Sequence, residues 1–185
     1  MNAQRSPIKP LAAGYTLIEV MIAVFVLSIG LVALGFLQVV SVQASYNAHN
    51  RALASIAAQD MAERIRANVA GYTNGQHENI TTASGAANAC DGNVNCTTQQ
   101  LTDADFARWQ QQLAAVLPAG QGILCMDGSD GNINDGVPGA ALCSGAGKNV
   151  IKIFWRESLS QSDANAPAGQ AQDNVWRAFG LAVYP

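Results

Sequence analysis

The longest predominantly apolar segment of the chain lies near its amino terminus, at residues 20–40. Between Val20 and Leu37, Ser28 is the only strongly polar side chain. A helix rises about 1.5 Å per residue, so a segment of this length comes close to the roughly 30 Å of a bilayer's hydrocarbon core. The pattern therefore predicts a membrane-spanning helix, with an acid, Glu19, at its amino-terminal end.

The helical pattern continues beyond the apolar segment, although the composition becomes mixed after residue 40. Apolar or aromatic residues recur there at helical spacing and form one stripe: Val42, Tyr46, Leu53, Ile56, Met61 and Ile65. We expect a single helix from Tyr15 to about Ala70, ended by Gly71. Residues 71–101 are polar and predict irregular surface chain.

The second half of the chain predicts a short helix followed by strands. The helix is expected over residues 102–117, with Thr102 as its cap and Trp109 in the core. Alternating patterns predict strands at residues 122–126, 150–156 and 175–184. A long helix followed by these elements indicates an α+β fold, with a small antiparallel sheet packed on the helix and one extra short helix.

The strand at residues 150–156 has the clearest alternation. Ile151, Ile153 and Trp155 fall on one face, and Lys152 and Arg156 fall on the other. We therefore expect the apolar face to contact the core.

The carboxylate of Glu19 needs a partner, because an unpaired charge inside a membrane costs on the order of 2.5 kcal/mol or more. A short basic leader ends at Gly14, an aromatic residue follows, and Thr16-Leu17-Ile18-Glu19-Val20 leads into the apolar helix. This arrangement resembles the amino-terminal signature of type IV pilins and the related pseudopilins. The fold is accordingly expected to be pilin-like.

The resemblance implies how the chain is processed and assembled. The prepilin peptidase would cut after Gly14, and the new amino terminus at Tyr15 would be methylated. Glu19 would then pair with the amine of residue 15 on a neighbouring subunit. The expected organisation is a cleaved leader at 1–14, a transmembrane and assembly helix at 15–42, and a soluble head at 43–185 that includes the second half of the long helix.

Two plainer interpretations of the apolar segment are weaker. An ordinary secretory signal would be cleaved near Val42-Gln43-Ala44, but the apolar run is too long for one and begins with an acid. An uncleaved membrane anchor would explain the length. Neither interpretation predicts a glycine, an aromatic residue and an acid at these spacings.

The chain contains four cysteines, and none of them forms a CxxC pair, so a zinc site is poorly supported. An even number of cysteines outside the cytoplasm suggests two disulfides. Three connectivities are possible, and local loop closure favours Cys90–Cys96 and Cys125–Cys143.

The loop at residues 127–136 is rich in Asp, Asn and Gly, which raises the question of calcium. Counted from Asp130, Asp135 occupies the glycine position of an EF-hand and Ala141 the glutamate position. A turn-rich loop is therefore favoured over a calcium site, and we expect no metal.

Charge and composition argue against nucleic-acid binding and catalysis. The formal net charge is −3, and loss of Arg5 and Lys9 with the leader would make it −5, which disfavours phosphate binding. His49 lies on the long helix and His77 in the irregular stretch, and no serine has the context of a nucleophile. We therefore expect no enzyme activity, no catalytic residues and no cofactor.

The cysteine-closed acidic loop, followed by Val-Ile-Lys-Ile-Phe-Trp, resembles minor pilins of the PilV type. No cysteine follows Cys143, whereas major pilins commonly close their carboxy-terminal region with a disulfide. The resemblance implies a subunit that primes assembly or caps the fibre of a type IV pilus, the organelle of twitching motility. Two other roles stay open: a pseudopilin of a type II secretion system, and an adhesin displayed on the fibre.

The same resemblance implies partners and a location. The expected partners are the prepilin peptidase, other minor pilins, the major pilin and, before assembly, inner-membrane lipid. The chain would cross the inner membrane once, with its head in the periplasm, and would later stand in the fibre or at the cell surface.

Overall fold

The computed structural model describes residues 16–92, 95–128, 133–157 and 175–184. The chain divides into two compact units, Met1–Val42 and Gln43–Pro185, which are described separately. The helices and strands follow one another in the order α1 Leu17–Ala67, α2 Val69–Thr73, α3 Thr98–Val116, β1 Gln121–Asp127, β2 Lys148–Glu157 and β3 Val175–Val183.

The first unit contains the apolar part of α1. Its large side chains are exposed along the whole segment, from Leu17 at 84 % to Phe36 at 67 %. Helix α1 contains an 18-residue window with a mean hydropathy of 2.8, none of which is buried, so α1 is long and apolar enough to cross a membrane. Ser28, the only strongly polar residue between Val20 and Leu37, is satisfied locally, since its hydroxyl donates to the carbonyl of Val24 at 2.7 Å.

The second unit is built on a three-stranded antiparallel sheet with the strand order β1-β2-β3. Because β2 is the middle strand, Lys152 pairs with Ile123 on one side and with Gly180 on the other. These three residues form a row across the sheet.

The core lies between the inner face of this sheet and the helices. Ile151, Ile153 and Trp155 of β2 belong to one apolar cluster with small and medium side chains of α1: Ala54, Ala58, Met61, Ala62 and Ile65. Trp109 of α3 is fully buried in the same cluster, as expected, and its indole N–H donates to the carbonyl of Ala57 at 2.9 Å. The alanines leave room for the indole to reach the helix backbone.

The long helix ends earlier than the sequence pattern predicts. Helix α1 stops at Ala67, and Asn68 caps the short helix α2 by accepting a hydrogen bond from the N–H of Gly71 at 3.1 Å. An asparagine side chain competes well for backbone groups, so it favours a cap over a helix interior.

The second helix begins earlier than expected, and Thr102 is not its cap. Thr97 caps α3 in a capping box with Gln100: each side chain accepts a hydrogen bond from the other residue's backbone N–H. Thr102 is fully buried inside the helix and donates to the carbonyl of Thr98 at 3.0 Å. The spacing Thr97-x-x-Gln100 marks the true start, whereas Thr102 resembles a cap only because two acids follow it closely.

The outer face of β2 is not open to solvent. The predicted alternation is correct, since Ile151, Ile153 and Trp155 face the core, but Lys152 on the opposite side is fully buried. The cover comes from residues 133–143, which we call the crossing loop.

Gly122 of β1 offers a test of packing in this unit. A Cβ atom added there would collide with the ring of Trp109 and lie 2.7 Å from Cδ1 of Leu113. We expect Gly122→Ala to lower the free energy of unfolding by about 1–3 kcal/mol, because overpacking a tight core displaces its neighbours. Urea denaturation of the detergent-solubilised chain, followed by tryptophan fluorescence, measures this change.

Gly128→Ala is the matched control. The nearest heavy atom to its added Cβ would be Cα of Gly147 at 3.4 Å, which is ordinary contact. Equal stability of the two variants would show that the Trp109–Gly122 contact is not tight.

Candidate functional site

The amino-terminal end of α1 is capped by Thr16. Its backbone carbonyl accepts from the N–H groups of Glu19 at 3.1 Å and Val20 at 3.3 Å, and its hydroxyl accepts from the N–H of Glu19 at 3.4 Å. The spacing Thr16-x-x-Glu19 is that of a capping box, and a carboxylate in the first turn is favoured by the helix dipole. The sequence carries this signature of a cap at Thr16, next to the predicted helix start at Tyr15.

Glu19 lies among exposed apolar side chains. Its neighbours Leu17, Ile18 and Val20 are 84 %, 67 % and 51 % exposed. The sequence holds no Lys, Arg or His between Thr16 and Val42. The first unit therefore presents one carboxylate on an apolar surface, with no cation in that stretch to neutralise it.

Gly14 and Tyr15 lie outside the described residues. Cleavage after Gly14 and methylation of Tyr15 therefore stay predictions.

A second polar arrangement lies in the head, under the crossing loop. The buried ammonium of Lys152 is 2.7 Å from Oδ2 of Asp127 and 2.6 Å from Oδ1 of Asp135, and it donates to the carbonyl of Ala141 at 2.8 Å. Lys152 and Asp127 are at most 1 % exposed. One cation on the middle strand thus holds both ends of the crossing loop and the end of β1.

The crossing loop is fixed to the outer strands as well. A disulfide joins Cys125 of β1 to Cys143, with a Cα–Cα distance of 6.2 Å. At the other side, the side-chain oxygen of Asn134 accepts from the N–H of Gly180 at 2.8 Å. A Cβ at Gly180 would collide with the carbonyl of Ile133, so only glycine allows this approach. The loop therefore spans the sheet from β3 to β1.

The tip of the crossing loop is a tight turn. The N–H of Val137 donates to the carbonyl of Ala140 at 3.1 Å, and the N–H of Ala140 donates back at 2.9 Å. Pro138 and Gly139 occupy the centre, and Gly139 has φ of +84°. Proline followed by a glycine with positive φ is typical of a type II turn.

Asp127 and Lys152 each favour the charged form of the other. Burial alone would raise the pKa of the Asp127 carboxyl, but the hydrogen bond and charge of Lys152, with backbone hydrogen bonds from Gly128 and Ser144, outweigh it and lower that pKa. Burial alone would lower the pKa of Lys152, but its hydrogen bonds and charge interactions with Asp127 and Asp135 raise it. Both groups are therefore ionised throughout the neutral range.

Another buried acid joins α1 to the sheet within the second unit. Glu157 is 1 % exposed and forms ion pairs with Arg51 of α1 at 3.2 Å and Arg177 of β3 at 3.0 Å. The indole N–H of Trp155 donates to the same carboxylate at 3.0 Å. This contact ties the helix to the ends of both strands.

His77 is buried, which corrects the expectation of irregular surface chain around it. Its Nε2 lies 3.3 Å from the hydroxyl of Thr102, which also accepts from the side-chain amide of Asn68 at 3.0 Å. Burial lowers the pKa of His77 below its ordinary value, although the backbone of Gly71 and the charge of Asp105 partly offset this. These contacts link Asn68, the cap of α2, and the segment that follows α2 to Thr102 of α3.

The other disulfide joins Cys90 to Cys96 before α3, with a Cα–Cα distance of 5.9 Å. Arg108 of α3 donates to the carbonyl of Ala87 at 2.8 Å and pairs with Asp91. These contacts hold the polar segment against α3.

The acidic loop is only partly described, since residues 129–132, including Asp130, lie outside the described residues. Among the described residues, no group of three or more His, Cys, Asp or Glu side chains is arranged to hold a metal. The two described carboxylates, Asp127 and Asp135, both form ion pairs with Lys152.

Two family models match the chain. Residues 10–35 match the prokaryotic N-terminal methylation motif, and residues 36–107 match the model for type IV pilin Tt1218. No curated protein matches the chain. No solved structure matches it either.

The two matched segments adjoin each other and together include Glu19 and all of α1. Over these two segments the chain is similar to type IV pilins.

The ion pair of Asp127 and Lys152 predicts a pH-dependent stability. Asp127→Asn should lower the free energy of unfolding by roughly 3 kcal/mol at neutral pH, because Lys152 loses a buried counter-charge. The native pKa of Asp127 lies below its unfolded value of about 3.9. The unfolded chain therefore binds the proton first as the pH falls, so the variant's deficit should be full above about pH 5 and shrink below about pH 4.

Asp60→Asn is the control for this measurement. Asp60 pairs with Arg64 but is 45 % exposed, so its loss should change stability by less than about 1 kcal/mol. Urea denaturation at a series of pH values compares both variants with the parent. A deficit for Asp127→Asn that does not change with pH would contradict the assignment.

Proposed function

We propose that this chain is a minor pilin of a type IV pilus, most like the PilV type, which primes assembly or caps the fibre. The prepilin peptidase cuts after Gly14, and the amine of Tyr15 is methylated. The subunit crosses the inner membrane once, with its head in the periplasm, until it joins other minor pilins and the major pilin. The match to the methylation motif at residues 10–35 supports this processing.

The observation that carries the proposal is the isolated carboxylate of Glu19 on an exposed apolar helix. On insertion scales a charge costs about 2.5–3.5 kcal/mol at the centre of a bilayer and less towards its surface, and Glu19 stands in the first turn of the apolar helix. No basic residue between Thr16 and Val42 offsets this cost. The partner must therefore come from the new amine at residue 15 or from outside the chain.

Pairing between subunits explains more than pairing within one chain. An amine at residue 15 stands four positions before Glu19, so an intrachain pair on one helix face also satisfies the charge. Only an intersubunit pair fixes how far one helix is displaced along its neighbour. We infer that Glu19 sets this register during assembly.

The head supports a minor rather than a major role. Its longer disulfide joins β1 to the crossing loop, and no cysteine lies in β3. Major pilins commonly place a disulfide in the carboxy-terminal region. A minor subunit needs only a few copies per fibre, at the site where assembly begins or ends.

The first prediction of the proposal concerns processing. The mature protein extracted from membranes should begin at Tyr15 with a methylated amine. Amino-terminal sequencing and intact mass measurement test this. Gly14→Leu should leave the leader attached, because a bulky side chain beside the scissile bond blocks the peptidase. A mature start at Met1 or near Ser45 would reject the pilin assignment.

The second prediction concerns Glu19. Glu19→Val should insert and be cleaved normally, since it makes the helix more apolar, but its incorporation into the priming complex or fibre should fall at least about tenfold, as the loss of a desolvated ion pair requires. Fractionation reports insertion, and co-purification with the other pilins reports assembly. Glu19→Gln should behave like Glu19→Val, because the charge matters and not the size.

Ser28→Ala is the matched control in the same helix. It also removes a polar group, but one whose hydrogen bond to Val24 is satisfied within the chain. It should assemble at the parental level. If Glu19→Val also assembles at that level, Glu19 is not an assembly residue.

A separate experiment distinguishes a pilin from a pseudopilin. It compares the number of fibres and the secretion of type II substrates in a strain from which the gene is deleted.

A further inference from the structure

One residue of the crossing loop departs from the backbone pattern of its neighbours. Within residues 136–147 the backbone repeatedly takes a positive φ, and glycines occupy these positions with one exception: Gly136, Gly139, Gly145 and Gly147. The exception is Leu142, which has φ of +53°. A leucine is strained in this conformation and a glycine is not, so the loop carries a cost at Leu142 that it avoids elsewhere.

The side chain of Leu142 is directed mainly to solvent. It is 62 % exposed, although Ala141 and Cys143 on either side are partly buried against apolar side chains of the sheet. Both neighbours are held in place, since the carbonyl of Ala141 accepts from Lys152 and Cys143 is joined to Cys125. A strained and exposed leucine adds little to the burial of apolar surface in the head, and strain of this kind is concentrated at functional sites.

The surface around Leu142 is uncharged and consists of small residues. Residues 136–147 contain no Asp, Glu, Lys, Arg or His. The backbone is fixed after the disulfide as well, because the N–H of Gly145 donates to the carbonyl of Met126 at 3.0 Å. A fixed loop of small residues loses little conformational entropy when a partner covers it. This surface therefore suits a partner that is also apolar and uncharged.

A cavity lies beside Leu142 on the same surface. It has a volume of about 420 Å³, and its lining comes from the sheet, the crossing loop and the segment before α3: Ile123, Phe154, Pro138, Ala141, Thr81 and Thr82 among others. None of the described residues that line it is charged. Because Ala141 lines the cavity and Leu142 follows it directly, the exposed side chain and the cavity adjoin each other.

We propose that two copies of this chain associate through their heads, with Leu142 of each copy inserted into the cavity of the other. An exposed side chain and a cavity that adjoin on one surface make the same contact twice when a two-fold axis relates the copies. Each contact removes apolar surface from water without burying a charge. The contact lies on the head, and it does not depend on Glu19 or on the proposed function.

Other occupants of this surface are less well supported. Membrane surfaces bind segments that combine basic side chains with several apolar ones, whereas residues 136–147 have no base and Leu142 is their only exposed large apolar side chain. A different protein would have to supply a matching cavity of its own. A second copy already supplies one beside its own leucine.

The test measures self-association of the full chain in detergent by sedimentation, at protein concentrations up to about 1 mM because small contacts are weak. Leu142→Gly removes the side chain and relieves the backbone. Its urea midpoint of unfolding should therefore not fall, whereas its self-association should weaken at least about tenfold. Any association through the apolar half of α1 is common to the parent and the variant, so the difference reports the head.

Ala119→Gly is the matched control. Ala119 is exposed, and it has the same φ of +53° as Leu142. The substitution relieves the backbone in the same way but removes no large apolar side chain. It should associate at the parental level.

Two charged variants test which surfaces meet. Leu142→Asp brings a carboxylate to the uncharged cavity, and Thr82→Lys places an ammonium beside it, so each variant alone should associate more weakly than the parent. In an equal mixture, the carboxylate of one copy meets the ammonium of the other, and the second contact of the pair is unaltered. The mixture should therefore associate at least about tenfold more strongly than Leu142→Asp alone.

Three results would overturn the proposal. Equal association of the parent and Leu142→Gly, including the case in which both stay monomeric, would show that Leu142 holds no second copy. A mixture of the charged variants that does not recover would show that Leu142 does not enter the cavity beside Thr82. A monomeric parent whose Leu142→Gly variant no longer co-purifies with other pilins would assign the leucine to a different subunit. None of these results concerns processing or Glu19, so the proposed function is tested separately.

Discussion

A three-stranded sheet has two faces to cover, and the helices of the head cover only one of them. The other face is covered by the crossing loop, which has no regular structure of its own to satisfy its backbone. Lys152 of the middle strand stabilises the crossing loop on this face, because its single ammonium group contacts Asp127, Asp135 and the carbonyl of Ala141. Such a buried cation is stable only while its carboxylates remain, so the loop and the sheet depend on each other.

The elements that follow from periodicity were predictable from the sequence. The apolar run and the alternation in β2 each depend on local side-chain order, which the sequence displays directly. The predicted stripe from Val42 to Ile65 is only partly correct: Met61 and Ile65 are buried, but Val42, Tyr46 and Ile56 are exposed, and alanines form much of the buried face of α1. The burial of Trp109 follows from its place in the apolar stripe of α3. The prediction of an α+β fold is confirmed on the same basis.

What the sequence did not reveal depends on contacts between distant segments. The alternation in β2 predicts that Lys152 faces solvent, because nothing near it in sequence shows that a loop will cover it. His77 lies in a polar stretch, and its contact with Thr102 joins residues that are 25 positions apart along the chain. At the candidate assembly site the situation is reversed: Glu19 is conspicuous in the sequence because it interrupts an apolar pattern, whereas the described residues do not test the partner proposed for it.

The crossing loop also bears on the order in which the head folds. Its anchors join residues close in sequence: Cys125 and Cys143 are 18 apart, and Asp135 and Lys152 are 17 apart. The contact between Arg51 and Glu157 closes 106 residues. Short loops lose less entropy on closure, so the segment from β1 to β2 can form its hairpin and its cross-link while α1 is still undocked. A chain held by its amino terminus in a membrane would thus complete its most local unit first, and the helix would join a partly built head.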